Sequence, residues 1–212
     1  MGNIKIPDAV IRRLPKYYRY LEELEKKGEQ RISSAMMSRA LGLGAPQIRQ
    51  DLNNFGGFGL QGYGYDVTYL KEKIAEILGF NQNRSIVIVG AGNIGRALAR
   101  NKGVEKEGFR VVAIFDNSEE VIGRKVGDFT VADIEQIGPF LTENAVDIGV
   151  ICTSVTEAQK IADILAQYGV CGIWNFAPTD IAVKNGVAVE NVHLSDSLFA
   201  LSYHMNEEKS GN

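Results

Sequence analysis

The residues that most constrain this chain lie near its middle, where Ile86-Val-Ile-Val89, a β-branched run with no polar residue, leads directly into Gly90-Ala91-Gly92-Asn93-Ile94-Gly95. A strand that is apolar on both faces belongs inside a parallel sheet. The turn after it has glycine wherever a side chain would obstruct a dinucleotide. Gly90 permits the tight turn, Gly92 lets a pyrophosphate approach the backbone, and Gly95 lets a helix over 96–100 pack close to the strand. Free amides at the start of that helix favour a diphosphate. A second strand, Val111-Val-Ala-Ile-Phe115, ends at Asp116, 21 residues after Gly95. That is close to the spacing of an acid that hydrogen-bonds the adenosine ribose. A carboxylate there repels a 2′-phosphate, and Asn117 and Ser118 follow with no adjacent arginine, so NAD(H) is favoured over NADP(H).

The alternation continues through Asp147 to Cys152, a helix from Ala158 to Tyr168, and Val170 to Trp174, which predicts a doubly wound parallel sheet over 85–190. Thr153, Ser154, Asn175 and Phe176 follow strand ends. Ligands bind there in open α/β sheets, which makes these residues candidates for the nicotinamide side.

The segment before this body has a different character. Residues 1–62 hold 10 Lys/Arg against 6 Asp/Glu and the remainder 13 against 20, a basic head on an acidic body that fits a polyanionic partner. Val10, Leu14, Tyr17, Leu21 and Leu24 recur at helical spacing. Pro15 either kinks this helix or starts a second one, and Gly28 ends it. Ser33 or Ser34 caps the next helix, which runs to Gly42-Leu-Gly44. A third helix begins near Ala45-Pro46, with Ile48 and Leu52 inward and Gln47, Arg49, Gln50, Asn53 and Asn54 outward. Helix, glycine turn and helix follow the helix-turn-helix plan. Gln, Arg and Asn offer the paired donors and acceptors that match purine edges in a major groove.

Phe55 to Tyr65, with glycines at 56, 57, 59, 62 and 64, reads as a tight hairpin and hence the wing of a winged helix. Phe58 has little around it to pack against and could wedge at a base step, whereas Tyr63 and Tyr65 could pack back on the head. Asp66 caps a helix ending at Gly79. Tyr69 and Lys73 within it imitate a dehydrogenase pair but precede the nucleotide turn, and read as an ordinary helix face. The expected domains are therefore 1–79 for the head, 80–84 for a polar linker, 85–190 for the nucleotide-binding fold, and 191–212 for a C-terminal helix and tail.

No apolar run reaches membrane-span length and the start has no signal-peptide core, so a cytoplasmic protein is expected. Cys152 and Cys171 fall in expected buried strands, where thiols act as small hydrophobes, and neither a metal nor a disulfide is expected. The two histidines, His193 and His204, come late, near an expected amphipathic helix with Leu194, Leu198, Leu201 and Met205, where a surface or interface role is the default. No catalytic residue is assigned and no enzyme is expected. The competing reading is a small NAD-dependent oxidoreductase with an appended interaction module.

At Ile11 to Arg19, Gln47 to Gly59, Gly90 to Gly95 and Asn175 to Pro178, the chain resembles the Rex family of redox-sensing transcriptional repressors over nearly its full length. The resemblance implies a homodimer whose winged helices bind palindromic operators and whose C-terminal helix, here about Asp196 to Met205, is swapped across the dimer. NADH binding would close the dimer and release DNA, with NAD+ competing weakly and causing no release. By position, Gln47, Arg49 and Gln50 would face the groove, Ser33 and Ser34 the phosphates, and Phe58 and Gly59 the minor groove. Arg19 would join an inter-subunit charge network. Where many members have Tyr after the first nucleotide helix and Asp before the C-terminal helix, this chain has Asn101 and His193, followed by Asp196. Leu60 and Gln61 replace a frequent basic pair in the wing, which weakens its phosphate contacts.

Overall fold

The structure is a computed structural model that describes residues 6–60, 63–184 and 186–210, with no side-chain description at 60 or 208–210. The chain divides between Asn81 and Gln82 into two compact units.

The first unit runs α1 (Asp8–Ile11), α2 (Leu14–Lys26), β1 (Arg31–Ile32), α3 (Ser34–Leu41), α4 (Ala45–Asn53), β2 (Gly59–Leu60), β3 (Gly64–Asp66) and α5 (Val67–Leu78). Pro15 lies in the first turn of α2, where its missing N–H has no helical partner to lose, so the chain breaks into two helices. Leu14, Tyr17 and Leu21 are buried along one face of α2 and meet Met37, Ile48, Leu52, Leu70 and Ile74 in one core. Ser33 caps α3, its Oγ accepting from the Met36 N–H at 3.2 Å, and Gly42 ends that helix at φ +64°. The strands form an antiparallel sheet in the order β1-β3-β2, which is the wing of a winged helix. Gly64 is required in it: φ is +73° and a Cβ would lie 2.6 Å from the Ile32 carbonyl oxygen. Residues 80–82, expected within a linker, form a 3-10 turn whose Phe80 stacks edge-on against Tyr18 at 4.9 Å.

The second unit continues with β4 (Arg84–Val89), α6 (Asn93–Ala99), α7 (Lys102–Lys106), β5 (Phe109–Asp116), β6 (Lys125–Val126), β7 (Phe129–Thr130), β8 (Ala132–Asp133), α8 (Ile137–Glu143), β9 (Ile148–Ile151), α9 (Val155–Gln167), β10 (Gly172–Asn175), β11 (Ala188–Asn191) and α10 (Asp196–Ser210). Six strands pair in parallel in the order β8-β5-β4-β9-β10-β11, the doubly wound arrangement that turns back between β4 and β9. β4 is buried on both faces as its composition requires. Val87 and Val89 enter one core with Ile161 and Leu165, and Ile86 and Ile88 enter the opposite one with Ile114 and Val150.

Several elements differ from expectation. The nucleotide helix begins at Asn93, inside the glycine motif, and the helix expected from Ala158 begins at Val155. Cys152 and Cys171 do not lie within buried strands. Each sits one residue outside its strand, Cys152 half-buried after β9 and Cys171 exposed before β10, because those strands are shorter than their apolar runs.

Candidate nucleotide cleft and nucleic-acid interface

At the switch between β4 and β9 a cavity of about 740 Å³ opens over the carboxyl ends of β4, β5 and β9. It is lined by Gly90, Gly92, Asp116, Thr153 and Ser154 from the sequence-predicted set, and by an apolar wall including Ile134, Ile137, Ile161 and Ile164. Gly90 turns at φ +104°, and a Cβ there would lie 2.5 Å from the Cys152 carbonyl oxygen. A Cβ on Gly95 would lie 1.9 Å from the Gly90 carbonyl oxygen, whereas one on Gly92 would meet nothing within 4 Å. Two glycines therefore permit close backbone packing while Gly92 leaves space over the turn. No side chain caps α6, so its first amides stay available to a ligand's oxygens.

Asp116 closes the turn. Its Oδ2 accepts from the Ala91 N–H at 2.6 Å and its Oδ1 from the Ser118 N–H at 2.9 Å. Each carboxylate oxygen retains a lone pair for a ribose hydroxyl donor. Within the motif, Ala91 is buried, Ile94 is half-buried, and Asn93 is exposed with Oδ1 accepting from Arg96 Nη2 at 2.9 Å. The Ser154 and Thr156 hydroxyls lie 2.9 Å apart at the start of α9. Burial pushes the Cys152 thiol up to about 12, so at neutral pH it is no thiolate.

Asn175 is not brought into the cleft. It is fully buried, its Nδ2 donating to the Thr179 carbonyl at 2.7 Å and to Asn191 Oδ1 at 2.9 Å while its Oδ1 accepts from the Ala177 N–H at 3.0 Å. Its amide braces the turn after β10 against β11, a strand that sequence reasoning missed. Phe176 is half-buried and tilted against Trp174 at 4.6 Å, in the core that includes Cys152. The apolar wall was also missed, since α8 is a short helix in a stretch of weak periodicity.

Of the remaining switch candidates, His193 and Asp196 adjoin, the Asp196 N–H donating to the His193 carbonyl at 3.1 Å. Asn101 caps α7, its Oδ1 accepting from the Gly103 N–H at 2.9 Å. His193 Nε2 lies 2.8 Å from Asp180 Oδ1, and this bond, aided by the nearby Asp196 charge, raises the histidine pKa. Asp196 is exposed in the first turn of α10, and Arg19 is exposed on α2. Leu194, Leu198, Phe199, Leu201, Tyr203 and Met205 at and along α10 are each more than half exposed.

In the first unit, Ile48 and Leu52 bury one face of α4 and leave Gln47, Arg49, Gln50 and Asn53 exposed. Arg49 Nη1 donates to Ser34 Oγ at 3.0 Å, joining the two segments expected to meet DNA. Asn54 instead donates to the Gln50 carbonyl at 2.9 Å, ending the helix. Phe58 finds more packing than its glycine neighbours suggest: it is half-buried, edge-on to Tyr69 at 6.5 Å. Tyr65 is buried as expected, whereas Tyr63 is 71% exposed. Gly59 begins β2 beneath the Tyr65 ring, and Gln61 lies outside the described residues.

The residue that sequence reading passed over is Asp51, whose side chain is 1% exposed. Arg13 Nε and Nη2 reach it at 2.6 and 2.8 Å, the Tyr17 hydroxyl at 2.6 Å and Gln47 Nε2 at 2.9 Å. Burial opposes its ionisation, but these hydrogen bonds outweigh burial and hold its carboxyl below the usual range. One acid amid the helix's amides and arginine was the available signal.

A winged helix and a Rossmann nucleotide cleft in one chain define a DNA-binding protein with a built-in nucleotide site. Comparison with known proteins agrees for both units. Residues 5–53 match a family model described as "Putative DNA-binding protein N-terminus", and residues 81–179 match one described as "CoA binding domain". The redox-sensing transcriptional repressor Rex of Thermoanaerobacter pseudethanolicus is 50% identical over 97% of this chain and 92% of its own length. That of Clostridioides difficile is 49% identical over 99% and 100%. A crystal structure of RSP in complex with β-NAD+ and operator DNA matches with a TM-score of 0.91 at 49% identity, over 98% of this chain and 95% of that one. RSP in complex with β-NADH matches with a TM-score of 0.90 at 47% identity, over 98% and 97%. The chain belongs to the Rex family of redox-sensing transcriptional repressors.

Proposed function

We propose that this protein is a repressor that binds palindromic operator DNA as a homodimer and is released by NADH, so that it reports the NADH/NAD+ ratio. The observation that carries the reading is the joining, in one chain, of an α4 face bearing Gln47, Arg49 and Gln50 to a cleft bearing the glycine turn and Asp116. Relatives with both parts are named as redox-sensing repressors, and RSP has been seen with operator DNA and with each cofactor form. In the cleft, the α6 amides hold the diphosphate and Asp116 the ribose, with Thr153 and Ser154 toward the nicotinamide. On DNA, Arg49, Gln47 and Gln50 read the groove, with Ser33 and Ser34 on phosphates and Gly59 in the wing.

The exposed apolar residues of α10 supply a dimer surface, since so many exposed large apolar side chains on one helix mark an interface. A repressor that works on operator DNA acts in the cytoplasm; among the described residues no helix is long and apolar enough to cross a membrane. NADH acts as an effector rather than a hydride donor, in keeping with relatives that are named as transcriptional repressors. Release requires that NADH bind the DNA-free conformation more tightly. A preference of ~1.4 kcal/mol per site shifts the balance about tenfold.

Fluorescence anisotropy on a palindromic operator from the protein's own promoters, at fixed salt, tests this with no ligand, with NAD+ and with NADH. Specific binding lost with NADH alone is expected. Binding indifferent to both cofactors, or steady NADH turnover, would overturn it.

A further inference from the structure

The four hydrogen bonds to Asp51 do more than hold α4 against α2. A carboxylate has about four lone-pair directions, and here Oδ2 receives Arg13 Nε and the Tyr17 hydroxyl while Oδ1 receives Arg13 Nη2 and Gln47 Nε2. The site is saturated and, being ionised, accepts only. The Gln47 amide therefore has one permitted orientation: its nitrogen must face Asp51, because a turned amide would set Oε1 against the carboxylate. Gln47 lies in the first turn of α4, the end of a recognition helix from which base edges are reached, and it remains exposed. One N–H is spent on Asp51. Oε1 and the second N–H remain for a base edge.

We propose that Asp51 is a positioning residue that presets Gln47 as a bidentate reader of adenine, accepting from its N6 amine and donating to N7. Only adenine shows that donor and acceptor pair in the major groove to such an amide; guanine offers two acceptors there. The half-buried Arg13 and the buried Tyr17 are the second half of the device, since they fix the carboxylate that fixes the amide. Among the described residues Gln50 has no such clamp, and Arg49 is held instead by Ser34. Sequence preference in each half-site is thus set in part by residues that never meet DNA. This rests on the DNA-binding reading above.

The test is selection of the full-length protein, without cofactor, on duplex DNA randomised over about 20 base pairs, spanning two half-sites one helical turn apart. Gln47→Ala and Asp51→Asn are selected beside the wild type. The wild type should enrich a palindrome with one adenine per half-site whose replacement weakens binding roughly 5- to 150-fold, the range for a bidentate pair. Gln47→Ala should relax that position alone. Asp51→Asn should relax the same position while leaving the preference read by Arg49, an effect that mere loss of stability would spread over every position. A clamp is also visible without substitution. In the nitrogen–proton spectrum of the wild type, one Gln47 side-chain proton should lie downfield and exchange slowly, unlike those of Gln50. Enrichment of a palindrome whose adenines are indifferent to Gln47→Ala, or a Gln47 amide as mobile as that of Gln50, would overturn the proposal and leave the repressor reading standing. Enrichment of no sequence would overturn both.

Discussion

Gly95→Ala isolates the nucleotide turn from everything else in the chain. The added Cβ would lie 1.9 Å from the Gly90 carbonyl oxygen and 3.3 Å from Ile88 Cγ2, where real contacts stay beyond 3.0 Å. Neither neighbour can yield, one being backbone in a turn at φ +104° and the other a buried side chain of β4, so α6 must retreat by about 1 Å. Overpacking of this kind costs about 1–3 kcal/mol of stability. The larger consequence is for ligand, because the amides at the start of α6 move with the helix. Hydrogen bonds to a charged group are worth ~1.5–3 kcal/mol each, so misplacing one predicts NADH binding weakened roughly 10- to 150-fold. The first unit shares no residue with this turn, so operator affinity without ligand should stay within about twofold. Titration by NADH fluorescence and operator anisotropy read the two arms separately. Wild-type NADH affinity in a folded Gly95→Ala protein would refute the assignment of the turn to the diphosphate.

Three further outcomes are expected. Asp116→Ala removes the ribose acceptor and leaves the buried Ala91 N–H without its partner, so NADH should bind about 10- to 100-fold more weakly and its preference over NADPH should shrink in the same titration. Arg49→Ala should abolish operator binding in anisotropy yet spare NADH affinity; equal loss of both would mean that the substitution unfolds the head. The His193 pKa is raised by its bond to Asp180, so that bond is complete below the ordinary histidine value of about 6.5 and is lost as pH rises through the raised value. Amide exchange over 192–196, corrected for intrinsic rates, should therefore be slower at about pH 6 than at about pH 8, and His193→Ala should erase the difference.

Local pattern carried the sequence reading furthest where one residue type answers one backbone demand. The apolar run of β4, the glycines at 90, 92 and 95, the Ser33 and Asp66 caps and the inward pair Ile48 and Leu52 all stand where their chemistry placed them, because strand, turn and cap preferences act within a few residues. The same locality explains what was missed. The strand β11 has only the short apolar run Val187-Ala-Val189 to announce it and exists because β10 offers it an edge and Asn175 ties it down. Asn175 and Asn191 look like loop residues in sequence, yet one is fully buried, a fate set by contacts 16 residues apart.

Asp51 shows the division most plainly. By itself the sequence determined a recognition helix with an amide and arginine face, and a nucleotide turn with its acid at the right distance. Only the tertiary structure decided that Arg13 and Tyr17, 38 and 34 residues away, would converge on that one carboxylate and fix the amide beside it. A hydrogen bond's partner depends on where the chain returns in space, and no periodicity along the chain records that.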